Sequence, residues 1–162
     1  MMLTAGRTSR SSRSFGLGHV IEPYYVLQDA GTEVVVVSLL GGDPPFRGSR
    51  IRSARSVAAF ERFRSDRQAR DAISDTLTFA QIFPEDFDGG VCIGALEKPA
   101  GGDDAVAALR LVTALLASGK PVAVVPRDLL EPQAPLEGAL ITGDQARSPR
   151  LAAQALLAAL DV

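Results

Sequence analysis

A helix that ends at Gly119 is followed, after one residue, by a short apolar strand over residues 121–125 that stops at Pro126. A strand that is apolar at every position has no face for water, so it must be covered on both sides. Residues 33–40 (Glu-Val-Val-Val-Val-Ser-Leu-Leu) form a second such run, β-branched and without alternation. Residues 91–93, after Asp86-Phe87-Asp88, form a third, short one. Between these runs lie segments with helical spacing. Val20, Ile21, Tyr24, Tyr25 and Leu27 predict a helix over residues 17–30, with Pro23 inside it and Gly31 closing it. Asp103 and Asp104 open an amphipathic helix that runs through Leu116, where their charge complements the helix dipole. Residues 140–142 read as a last short strand, and residues 148–160 as a strong helix with Pro149 in its first turn. Strands alternating with helices imply an α/β fold with a mostly parallel sheet.

The stretch 56–82 is polar and reads as helical in pieces, with Asp66 and Ser74 as candidate caps. Gly41-Gly42-Asp43-Pro44-Pro45 is a turn cluster. No internal repeat or linker divides the 162 residues, which suit one domain. A net charge of −2 offers no field for gathering nucleic acid, and no apolar run approaches the roughly 20 residues that cross a bilayer. A single cysteine excludes an internal disulfide and suits a reducing, cytoplasmic compartment. Arg7, Arg10 and Arg13 stand among serines and threonines with no acid. That segment reads as an exposed polar loop after a short first strand rather than as an organellar transit peptide, and it lacks the apolar core of a secretion signal.

Several separated stretches, in order, resemble the ThiJ/PfpI family of the class I glutamine amidotransferase-like superfamily. Glu22-Pro23-Tyr24-Tyr25 followed by Asp29-Ala30-Gly31 is similar to its first helix. Residues 34–38 with Gly41-Gly42 and Pro44-Pro45 are similar to its second strand and Gly-Gly-x-Pro loop. Asp86-Phe87-Asp88 with Gly94 matches the stretch before its oxyanion-hole glycines, and residues 138–143 with the final helix resemble its closing strand and helix. Gly119-Lys120-Pro121-Val122-Ala123 is similar to the phrase that leads into the turn holding the reactive thiol. The resemblance implies a flavodoxin-like three-layer α/β/α sandwich, shortened here at its edges, and a homodimer.

The departures concern chemistry. Pro126 and Arg127 stand where the family has its Cys-His pair, and His19 stands at the acidic helix position four residues before the helix proline. Glu22 is about 60° round the helix from His19, and the second oxyanion-hole glycine is replaced in the pair Gly94-Ala95. Between strand 121–125 and Gly138 only a short loop remains, and the first strand is cut to at most residues 1–4. His19, Gly94, Ala95, Pro126 and Arg127 therefore outline a vestigial pocket with no catalytic set. Covalent chemistry needs an activated nucleophile beside a base, and neither proline nor an always-protonated arginine supplies one.

Each other candidate has a structural reading beside the chemical one. Cys92, the only thiol, lies mid-strand and reads as a buried, inert residue. His19 is the only histidine, so no imidazole-based metal site is available, and neither metal nor cofactor is expected. Gly16-Leu-Gly18 lacks the third glycine of a phosphate loop, and Asp103 and Asp104 would repel an anion at Gly101-Gly102. Arg127 and Asp128 lie at the carboxyl end of a central strand, where open α/β sheets place ligands. With Glu22 they are the ligand-binding candidates for a small molecule. Two functions remain open: a binding or interaction module that has lost its catalysis, or a hydrolase or lyase of the same superfamily working through altered residues.

Overall fold

The structure, a computed structural model, describes residues 2–4, 16–44, 54–93, 103–125 and 137–161. Strand β1 (Met2–Thr4) precedes helix α1 (Gly18–Asp29) and strand β2 (Val36–Val37). Helices α2 (Ala54–Ser65) and α3 (Arg67–Ser74) follow, then two 3-10 turns at Phe79–Gln81 and Pro84–Asp86. Strand β3 (Gly90–Ile93), helix α4 (Asp103–Ala117) and strand β4 (Val122–Val125) make the centre. Strand β5 (Leu140–Ile141), a 3-10 turn at Gly143–Ala146 and helix α5 (Pro149–Ala159) close the chain.

All the strand pairs are parallel and the order is β2-β1-β3-β4-β5, the flavodoxin-like arrangement. The period-2 alternation of strand side chains divides the core in two. Val91, Ile93, Ala123 and Val125 face a layer that includes Val20, Ile21 and Leu27 of α1, Ile73 of α3, and Ala152 and Leu156 of α5. Cys92, Val122 and Val124 face Ala108, Leu111, Val112, Leu115 and Leu116 of α4, a stripe at the i, i+3, i+4, i+7, i+8 spacing of one helix face. The sheet is thus sandwiched between helices, as its all-apolar strands require.

Helix ends follow their sequence signals. Gly119 follows the last turn of α4 at φ +75°, a conformation that costs other residues a Cβ clash. Ser148 caps α5 by accepting the Leu151 N–H, and Asp66 caps α3 by accepting the Ala69 N–H at 3.0 Å. Ser74 is not a cap: it is the last residue of α3, and its hydroxyl donates back to the Arg70 carbonyl. Pro23 lies inside α1, so the helix continues through it with one N–H fewer to donate. Of the expected strand over residues 33–40, Val36 and Val37 form β2, paired with Met2 and Leu3 of β1. Among the described residues no helix is long and apolar enough to cross a membrane.

Candidate functional site

In this topology the chain moves outward in opposite directions from β1 and β3, and ligands of such sheets sit at the carboxyl end of that switch point. Strands β1 and β3 end in register at Thr4 and Ile93, and β3 and β4 at Ile93 and Val125. Gly94, Ala95, Pro126, Arg127 and Asp128 follow these ends in the sequence and lie outside the described residues. Of the expected pocket, the described residues hold His19 and, among the ligand-binding candidates, Glu22. His19 is exposed in the first turn of α1. Glu22 is half-buried and accepts a hydrogen bond from the Ser56 hydroxyl of α2.

Cys92 is 1% exposed, fixed between Leu3 and Val124 in the ladder, with its side chain in the α4 layer. Burial pushes its thiol up to about 12, because the apolar layer cannot solvate a thiolate. At neutral pH the group is a small apolar core residue, as its place in the sequence suggested.

A cleft of about 300 Å³ runs along the groove between α1 and α2 and reaches the start of α5. The two helices lie side by side, so that Glu22 meets Ser56 and Asp29 meets Arg62. Arg62 holds the Asp29 carboxylate with two bonds of 2.8 and 2.9 Å, which keeps that carboxyl below its ordinary range. The same guanidinium lies 3.9 Å from the centre of the Tyr25 ring. The Tyr25 hydroxyl donates to Asp66 at 3.1 Å, so one carboxylate both caps α3 and ties it to α1. Burial, then the bond to Asp66, raises the Tyr25 phenol to about 12. Arg55 and Arg150 also line this cleft, and no ion pair involves either of them among the described residues. Apart from Glu22, none of these groups stood out in the sequence as site residues. Their spacing within α1 and α2 marks helix faces, and nothing local says that the faces meet.

Two results are expected from these contacts. Asp66→Ala removes the cap and the tyrosine bond together, and lowers the unfolding free energy by about 2 kcal/mol in urea titrations. A loss under ~0.5 kcal/mol would show that neither bond matters in solution. The second concerns alkaline pH. The Cys92 thiol and Tyr25 phenol have folded values near 12, above their ordinary values of 9.0 and 10.0. Each ionises more readily in the unfolded chain, so its contribution is complete below its ordinary value and lost as pH rises through about 12. The urea midpoint should fall over that window, and fall less steeply in Cys92→Ala. Equal slopes in the two proteins would contradict the thiol's share.

Among the described residues no group of three His, Cys, Asp or Glu side chains could hold a metal ion. The sequence matches no family model and no curated protein. Solved structures do match. Glyoxalase III from Candida albicans is similar over 98% of this chain and 96% of its own, at 13% identity and a TM-score of 0.63. A ThiJ/PfpI domain protein from Brachyspira murdochii is similar over 99% and 94%, at 13% identity and a TM-score of 0.53. The 24 kDa rapid encystment protein of Francisella tularensis aligns with 76% of this chain at 17% identity and a TM-score of 0.53, and the chain spans 56% of that protein. The chain therefore has the fold of ThiJ/PfpI domain proteins and of a glyoxalase III.

Proposed function

We propose that the chain is a ThiJ/PfpI-type protein that has lost thiol-dependent catalysis and serves as a binding or interaction module. The observation that carries this reading is the state of Cys92, the sole thiol, held 1% exposed in the middle of β3. The fold likeness to a ThiJ/PfpI domain protein supports the family, and the sequence resemblance puts Pro126 and Arg127 at the nucleophile position. Removing the nucleophile from a coupled catalytic unit costs on the order of 10⁶ in kcat. No second thiol or histidine exists to recover it. A small-molecule ligand would sit toward the carboxyl ends of the strands.

Association as a homodimer in the cytoplasm fits the same reading. Val106 and Leu109 on α4 are 43% and 39% exposed, and Phe83, 58% exposed, precedes a 3-10 turn that packs beside that helix. These side chains offer apolar surface to a second copy. A monomeric mass by light scattering at micromolar concentration would remove the dimer from the proposal.

The test of lost catalysis uses methylglyoxal, a small carbonyl compound suited to the glyoxalase III likeness. The expected result is consumption no faster than without protein. Turnover that stops after iodoacetamide treatment would overturn the proposal by making Cys92 a working nucleophile. Turnover that survives alkylation would replace it with the hydrolase or lyase reading, carried by other residues.

A further inference from the structure

We infer that the cleft between α1, α2 and the start of α5 binds a small ligand carrying an oxyanion, a carboxylate or phosphate monoester, gripped by Arg55 and Arg150. Binding in this cleft does not depend on the loss of thiol chemistry.

The charges lining the cleft are Glu22, Asp29, Arg55, Arg62 and Arg150. Asp29 and Arg62 neutralise each other through their paired bonds. Glu22 is engaged by Ser56, which leaves its charge in place but gives its carboxylate a local donor. Arg55 and Arg150 remain, so with Glu22 the described lining carries one net positive charge. Arg55 and Arg150 line the cleft from two separate helices, and a guanidinium's planar fork suits the two oxygens of a carboxylate or phosphate.

The placement of these arginines strengthens the case. Arg55 and Arg150 are each the second residue of their helix. No acidic residue sits in the first turn of α1, α2 or α5, although carboxylates are the residues that a helix start favours. Two cations at the positive ends of two helices raise the local potential, and among the described residues neither is held in an ion pair. In a parallel α/β sheet these helix starts lie toward the carboxyl ends of the strands. Ala58 and Ala59 keep the α2 wall low, and the Tyr25–Arg62 stack closes the lower end. A volume of about 300 Å³ is enough for a compact metabolite.

The experiment is an amide NMR titration of the whole chain with inorganic phosphate and with acetate, each against sodium chloride at matched ionic strength. Saturable shifts at residues 22, 25, 55, 58 and 150 are expected, with an affinity on the order of millimolar. Saturation by phosphate alone assigns a phosphate monoester, and saturation by acetate alone assigns a carboxylate. Saturation by both assigns the oxyanion class as a whole. Arg55→Gln and Arg150→Gln should each weaken binding about five- to tenfold, whereas Arg70→Gln, exposed on α3, should leave it unchanged. Glu22→Gln removes the one competing charge while keeping an acceptor for Ser56, and should tighten binding severalfold. A structural role for Glu22 would not produce that sign. Shifts that match those from chloride, or an affinity unmoved by both arginine substitutions, would overturn the inference.

Discussion

Gly138→Ala should lower the unfolding free energy by about 3 kcal/mol, through space rather than through backbone conformation. A Cβ at position 138 would stand 2.3 Å from the Lys120 carbonyl oxygen and 2.9 Å from the Lys120 carbonyl carbon and nitrogen. All three obstacles are backbone atoms, so no side chain can swing aside. The residue is held from both sides. Its N–H donates to the Leu116 carbonyl at 2.8 Å, and the next carbonyl, of Ala139, accepts from Val122 at 2.9 Å. Moving the chain outward to admit the methyl group sacrifices these bonds and lifts β5 from β4 at the Val122–Leu140 pair. Gly119→Ala is the contrast, because that position has open space but a φ of +75°, and it should cost about 1 kcal/mol. Urea denaturation of the two variants separates steric from conformational cost. Equal losses would mean that the approach of residue 138 to Lys120 is not as close as described.

Leu156→Ala should cost about 3 kcal/mol, because the side chain joins α5 to the sheet. It is 1% exposed and belongs to the layer formed with Val91, Ala123 and Val125. Its Cδ1 also lies 3.1 Å from where Gly89 would carry a Cβ, so the leucine fills the space that this glycine leaves open. Leu109→Ala on the outer side of α4, 39% exposed, should change stability by less than ~0.5 kcal/mol in a monomer. A small effect at Leu156 would mean that α5 does not pack on the sheet as described.

Burial pattern made the helices and central strands legible in the sequence. The stripe from Ala108 to Leu116 keeps the helical period, and β4, apolar and buried at all four positions, is marked by its shortness and β-branched residues. The extent of β2 was not legible, since the ends of a strand depend on pairing with residues distant in the chain, and residues 33–40 carry no information about those. Ser74 looked like a cap because serine often is one, but its hydroxyl found the Arg70 carbonyl within its own helix. Cys92 could be placed from its neighbours alone, because an apolar strand in a parallel sheet buries both faces. The arginine cleft could not. Arg55 and Arg150 are far apart in the chain and line one cleft because α2 and α5 both pack on α1.

The central proposition, a sheet that keeps its fold around a thiol it cannot use, is tested most directly by the rate at which Cys92 reacts. Native protein and protein in denaturing urea would each be mixed with a disulfide reagent that releases a coloured thiolate, at pH 8. Native Cys92 should react at least about a thousandfold more slowly than the unfolded chain, because exposure requires opening β3 between β1 and β4. A native rate within about tenfold of the unfolded rate would place a reactive thiol at the surface and contradict the loss of thiol chemistry.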